Sequence, residues 1–271
     1  MPSNASLTFS IHGLEEHVVW EEHIEPNVDY LPDEAFRILD YSCNEMLNNA
    51  IEHSEGDLVS VQVKEKETEI EVSIIDNGIG IFQKIQDALG LDTPQDALLE
   101  LCKGKLTTDP ERHTGEGIFF TSRACSEFSI LSRNLFFSHL SGEDWLTEHQ
   151  SNLSPGTTVV MTVAVRPDST LEEVFDDHTA EEDDFGFTKT HVPIKLADYG
   201  ADGLTSRSKA RRILNRFDNF KEVILDFEEV DSIGQGFADE IFRVFRNRHP
   251  EVNIRCVSTS EQTRKMIKHV L

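Results

Sequence analysis

Between residues 171 and 184 the chain carries eight acidic side chains and no lysine or arginine, and its patterning differs on the two sides of that strip. Ahead of it, short apolar runs alternate at period two and follow one another as hairpins. Behind it, single strands alternate with helical stretches, the pattern of a small α/β module with a mainly parallel sheet. Charge divides in the same place. Residues 1–188 hold 38 acidic and 10 basic side chains, a net −28, and residues 189–271 hold 12 and 15, a net +3. A segment this charged cannot bury enough apolar surface to fold by itself, so residues 169–188 are expected to be a solvated linker. The domains predicted are therefore 1–168 and 189–271.

Along the first domain, residues 6–11 and 17–20 read as short strands. Asp33 is placed to cap a helix whose apolar stripe includes Phe36, Ile38, Leu39, Cys43, Met46, Leu47, Ala50 and Ile51. Residues 58–63 and 69–75 read as a hairpin. A stretch rich in turn and helix signals covers 82–113, with Thr93-Pro94 opening a helix, and further strands are expected at 128–131, 136–140, 145–149 and 157–165. In the second domain the strands fall at 192–196, 223–227 and 252–257, and helices start near Ser206, Gly236 and Glu261.

Three segments of the first domain carry chemistry: Asn44-Glu45-Met46-Leu47-Asn48-Asn49, Asp76-Asn77-Gly78-Ile79-Gly80 and Thr114-Gly115-Glu116-Gly117. Glu45 and Asn49 stand four apart in a helical pattern, so one face offers a carboxylate and an amide oxygen. Those groups suit a water to be oriented and a magnesium ion to be held. Asp76 closes an apolar strand, and the glycines after it leave bare backbone for a flat ring. Gly115 and Gly117 precede an apolar run, where amides at a helix start can face phosphate oxygens. Separately each has a plain reading: Asn77-Gly78 as an ordinary turn, Glu45 and Asn49 as a solvated helix face, Gly115 and Gly117 as a loop. In this order, with Gly156-Thr157-Thr158 at the start of a later strand, they describe a pocket for a nucleoside triphosphate and its metal.

The order resembles the N, G1, G2 and G3 boxes of the GHKL ATPases, which include gyrase, MutL mismatch-repair proteins, histidine kinases and anti-sigma-factor kinases. The likeness covers roughly residues 15–165 and implies a Bergerat-type α/β sandwich with a mixed sheet. It assigns the general base to Glu45 and magnesium to Asn49. Asp76 would accept the adenine amino group, with Gly78 and Gly80 shaping the floor beneath the ring. Residues 82–113 would form a lid, Thr114, Gly115 and Gly117 would contact phosphates, and Thr157 or Thr158 would support adenine. Lys103 and Lys105 either reach phosphates or belong to an exposed loop, and Arg112 and His113 stay open for the same reason. His53 suggests the anti-sigma type, or serves only to pin its helix. No phosphoacceptor hairpin is expected ahead of Asp33, nor the further domain that supplies a catalytic lysine in MutL and gyrase.

The C-terminal module resembles the STAS-like family, whose relatives include anti-anti-sigma factors. Residues 223–230 match the central strand and its turn. Where those factors carry a phosphate-accepting serine before the next helix, this chain reads Asp231-Ser232-Ile233-Gly234, so the acceptor position holds Ile233 and Ser232 stands beside it. Arg207, Lys209, Arg211, Arg212 and Arg216 make one basic helix, expected to be solvated or docked on the acidic domain. It lacks aromatics on its basic face, and the acidic half would repel nucleic acid. Cys43, Cys102, Cys125 and Cys256 have no metal-ligand spacing and read as reduced thiols. With no apolar stretch near the roughly 18 residues of a membrane span and no basic-then-apolar start, the cytoplasm is the expected location. Bound ATP and Mg2+, with a regulatory protein or a second copy as partner, make a slow ATPase switch the leading expectation. A serine/threonine kinase of the anti-sigma type and a non-catalytic scaffold are the alternatives.

Overall fold

The computed structural model describes residues 5–106, 114–149, 154–179, 186–198 and 203–271. Two compact units emerge: Met1–Ala97 with Thr107–Val174, and Leu98–Leu106 with Phe175–Leu271.

The first unit is a helical layer on a seven-stranded sheet. Its strands are β1 (Ala5–Ser10), β2 (Leu58–Glu65), β3 (Glu69–Asp76), β4 (Glu127–Arg133), β5 (Leu135–Leu140), β6 (Glu143–Glu148) and β7 (Ser154–Ala164), in the order β1-β2-β3-β7-β4-β5-β6. Where a mixed sheet was expected, all the pairings are antiparallel. Tight turns impose this on β2–β3, β4–β5 and β5–β6, because parallel neighbours need a long crossover. Val59, Val61 and Val63 alternate with more exposed residues along β2, so one face of that strand enters the core.

Residues 17–20 are helical instead of extended. Helix α1 (Glu16–Val19) runs into a π-turn, Trp20–Ile24. Val19, Trp20, Ile24 and Val28 are all buried, a spacing that four residues read alone could not reveal. Helix α2 (Asp33–His53) follows with Pro32 at its N-cap and Asp33 as its first residue. No side chain caps it, and Asp33 acts only as an acidic group in the first turn. Its buried stripe is Ala35, Ile38, Leu39, Ser42, Cys43, Met46, Leu47 and Ala50. Helix α3 (Ile81–Leu89) follows β3, α4 is Pro94–Lys103, and α5 (Gly117–Ala124) leads into β4. The acidic strip contains a short helix, α6 (Leu171–Asp176), begun by reciprocal bonds between Thr170 and Glu173. Residues 180–185 lie outside the described residues, as do 107–113 of the stretch assigned to the lid.

A buried triad fastens the far end of α5. Arg123 Nη2 donates to Asp144 Oδ2 at 3.1 Å, and His139 Nδ1 lies 2.7 Å from Asp144 Oδ1. Burial alone would raise the Asp144 pKa, but Arg123 and His139 outweigh it and hold the carboxyl below its ordinary range.

The second unit holds a three-stranded parallel sheet, order β10-β9-β8, from β8 (Lys189–Pro193), β9 (Glu222–Asp226) and β10 (Asn253–Val257). Helices α7 (Arg207–Leu214), α8 (Gln235–Asp239) with a π-turn behind it, α9 (Arg246–Arg248) and α10 (Glu261–Val270) complete it. Ser206 caps α7 by accepting the Lys209 amide at 3.1 Å. The basic helix is solvated in part, as expected: Arg207, Arg211 and Arg212 are exposed, and Arg216 lies beyond its end. Arg207 and Arg211 pair with Asp239 and Glu240, Arg216 pairs with Glu100, and Lys209 is buried. Its charges are matched inside its own unit by acidic residues distant in sequence. Ile233 is a core residue, 5% exposed, while Ser232 is exposed.

Replacing Asp144 by Ala leaves Arg123 buried without its partner and should lower stability by about 3–5 kcal/mol in urea unfolding. A carboxyl with a depressed folded pKa stabilises above its unfolded value, near 4, and loses that contribution as pH falls through the folded one. The gap between wild type and variant should therefore close in acid and stay open at pH 7.

Candidate functional site

Helix α2 spans the site from one end to the other. At its end Ser54 offers its carbonyl to the Ile79 amide at 2.9 Å. Gly78 lies so close that a Cβ there would fall 2.0 Å from that same oxygen, a backbone contact that cannot yield. Nine residues earlier, about 13 Å along the helix at 1.5 Å per residue, Glu45 lies against the first residue of α5. A Cβ on Gly117 would sit 1.9 Å from Glu45 Oε2. Asn49 stands between these two contacts, one turn on from Glu45. Thus the Asp-x-Gly-x-Gly loop and the Gly-x-Gly stretch, 35 or more positions apart in sequence, meet opposite ends of one helix.

The loop is shaped by side chains that take backbone amides. Asp76 Oδ1 accepts from Gly78 N at 2.8 Å and Thr157 N at 3.2 Å. Asn77 Oδ1 accepts from Asp57 N at 2.9 Å and Leu58 N at 3.0 Å, locking the turn that the dipeptide suggested. Gly156 presses on the same place, since a Cβ there would lie 2.2 Å from the Asp76 carbonyl and 2.7 Å from Gly78 N. Thr157 Oγ1 accepts from Ile81 N at 3.0 Å. Gly80 has φ 88° and would crowd Ser132 Oγ with any side chain. Gly115 has φ 71°, and Thr114 beside it is exposed.

Asp76 is nearly buried, at 7% exposure. Its pKa is raised, chiefly by burial, and the hydrogen bonds from Gly78 and Thr157 pull it only part of the way back. A carboxylate kept in so dry a place, bonded through Oδ1 to two amides, is a shaped acceptor for a further donor. At the other end Tyr41 is held in its neutral form by burial and by the negative charges of Glu45 and Glu116. The Asn49 amide is half-buried and has no hydrogen-bond partner among the described residues. With the Glu45 carboxylate one turn away it suits a hard divalent cation that keeps several of its waters.

Of the predicted residues, Glu45 and Gly117 are in contact, and Asp76, Gly78 and Thr157 share hydrogen bonds. Thr158 is paired in the sheet between Ile75 and Leu131. Lys105 belongs to the second unit, where its ammonium donates to Asn219 O at 3.1 Å and lies over the Phe220 ring at 5.2 Å. Ser54, Ser132 and Arg133 were missed. Ser132 Oγ donates to Gly156 O at 3.2 Å, and Arg133 Nε donates to Ile79 O at 3.0 Å from a break in the β4–β7 register. No local pattern marks these residues, because the partners they serve are 24 and 54 positions away.

Comparison with known families agrees with this geometry. Residues 37–167 match the family described as histidine kinase-, DNA gyrase B-, and HSP90-like ATPase, and residues 209–264 match a STAS-like domain of unknown function. No curated protein matches the chain.

The two glycine contacts should separate folding from chemistry. Gly78→Ala strikes fixed backbone and should cost about 1–3 kcal/mol, the range of overpacked sites. Gly117→Ala strikes only the end of a flexible side chain, so its melting temperature should change by no more than a few degrees while Glu45 is displaced. Equal thermal losses in the two variants would contradict the geometry.

Proposed function

We propose that this chain, which belongs through residues 37–167 to the histidine kinase-, DNA gyrase B-, and HSP90-like ATPases and carries a STAS-like domain at residues 209–264, is a nucleotide-controlled conformational switch that hydrolyses ATP slowly. The observation that carries this reading is the span of α2: one end shapes the Asp76 pocket, and the Glu45 carboxylate lies against the start of α5. An extended nucleoside triphosphate has its ring and its terminal phosphate separated in the same sense.

Asp76 accepts the adenine amino group, with Thr157 and Gly78 fixing its orientation. Gly78 and Gly80 leave the ring face open, and Thr158 supports the ring edge. Amides at Gly115 and Gly117, with the Thr114 hydroxyl, hold the terminal phosphate at the positive end of α5. Glu45 orients a water and takes its proton as the oxygen bonds to the γ-phosphorus. The bond to the β–γ bridging oxygen breaks, and ADP and inorganic phosphate are released. Asn49 would hold Mg2+, which when bound would neutralise charge on the phosphate oxygens. Phosphoryl transfer depends mainly on positioning and electrostatics, so this small set suffices. Lys105 would join it only after leaving Asn219.

A partner hydroxyl in place of water would make the same site a protein kinase, and a regulatory protein or a second copy of the chain would receive the signal. No helix among the described residues is long and apolar enough to cross a membrane. None of the four cysteines forms a disulfide, which supports a reducing cytoplasm.

Mg-ATP at a hundred times its Kd should stabilise the protein by about 2.7 kcal/mol. No thermal shift at millimolar nucleotide would sink the reading. Labelled ATP should yield free phosphate, and label recovered on a partner would point to the kinase instead. Glu45→Ala should keep binding and lose turnover at least a hundredfold. Asp76→Asn should weaken ATP binding at least tenfold without loss of stability at pH 7. A raised carboxyl pKa stabilises only at low pH and penalises the fold once ionised, and the amide oxygen can still accept Gly78 N and Thr157 N.

A further inference from the structure

Ile79 is held from two sides. Its amide donates to Ser54 O at 2.9 Å, and its carbonyl accepts from Arg133 Nε at 3.0 Å. Arg133 Nη1 donates to Gln83 Oε1 at 3.2 Å in the first turn of α3. One guanidinium therefore bridges the end of the Asp76–Gly80 loop and the helix that follows it. Gly80 lies against the same residues: at φ 88°, its Cβ would meet Ser132 Oγ at 2.5 Å and Arg133 Cγ at 3.5 Å. Ser132 Oγ in turn donates to Gly156 O at 3.2 Å.

Arg133 keeps this place under strain. Its φ is 56°, in the left-handed region that side chains rarely adopt, and the β4–β7 register shifts there. The side chain is exposed, so water can replace its hydrogen bonds and their net contribution to stability is small. The loop also has other fastenings. Asn77 Oδ1 takes the Asp57 and Leu58 amides, Asp76 Oδ1 takes Gly78 N, and Ser54 O takes the Ile79 amide. All of these act at or before the Ile79 amide, and Arg133 acts on the carbonyl just past it. A strained backbone that presents an exposed side chain to a loop already fastened points to function rather than to the fold.

We propose that Arg133 is a positioning residue for the nucleotide base: it fixes the Ile79 carbonyl and Gly80 at the floor of the pocket, and so sets the affinity for ATP. The proposal rests on the ATP reading above. Glu45 meets Gly117 about 13 Å along α2 from the Ser54 contact. The role of Arg133 is thus confined to binding and leaves bond breaking at the γ-phosphorus unchanged.

Arg133→Gly in the full chain separates this role from a structural one. Glycine adopts a φ of 56° without strain, so the variant should unfold within a few degrees of wild type. Its Kd for Mg-ATP should rise at least fivefold, while turnover at saturating nucleotide changes less than twofold. Without nucleotide, hydrogen exchange at residues 79–84 should speed up at least threefold. Unchanged Mg-ATP affinity in the variant, with wild type binding, overturns the role and leaves the ATP reading standing. Unchanged exchange at 79–84 overturns it too. So does a fall in saturated turnover as large as the loss of affinity, or a melting temperature far below wild type, since either means that Arg133 supports the fold at large. If wild type itself binds no Mg-ATP, the ATP reading falls and the role of Arg133 with it.

Discussion

The carbonyl of Ser54 accepts the Ile79 amide at 2.9 Å, and that backbone bond sets how closely α2 approaches the loop after β3. Gly78 makes the approach possible by having no side chain to place between them. Once the helix is seated there, its straight rise fixes where Glu45 emerges, and α5 must begin at a residue that clears the carboxylate. Gly117 meets that need. Gly78 and Gly117 therefore answer to α2 before they answer to any ligand.

Charge works against the fold in this pocket. Asp76 sits in a dry place with no cation bonded to it among the described residues, and its raised pKa records the cost. Asp144 shows the opposite arrangement, a buried carboxylate with Arg123 and His139 on either side and a depressed pKa. The same residue type, buried to a similar degree in one unit, is a burden in the first case and a fastening in the second. A buried carboxylate kept at such a cost marks Asp76 as a candidate functional group.

The sequence made the hairpins, the long helix and the strand–helix alternation of the second unit legible, because each is written in local periodicity. It also made the three site segments legible, since glycine, asparagine and carboxylate residues have few other reasons to recur in that order. Residues 17–20 were misread because four apolar-rich positions fit a strand and a helix equally well. Lys103 and Lys105 could not be assigned from sequence. Their partners, from Thr190 to Phe220, lie on the far side of the acidic strip, and no local pattern announces a nine-residue loan from one unit to the other. The acidic partners of Arg207, Arg211 and Arg216 could not be read from sequence either, since Asp239, Glu240 and Glu100 are remote from them.

Ile233 lies in the core of the second unit, where the resemblance to anti-anti-sigma factors would put a phosphate-accepting serine. A hydroxyl that accepts phosphate outlives the event that modified it and waits for a phosphatase to erase the mark. A buried hydrocarbon keeps no such record. With no hydroxyl at position 233, any influence passed through this turn would last only as long as the contacts that impose it, and would need no second enzyme to reset it.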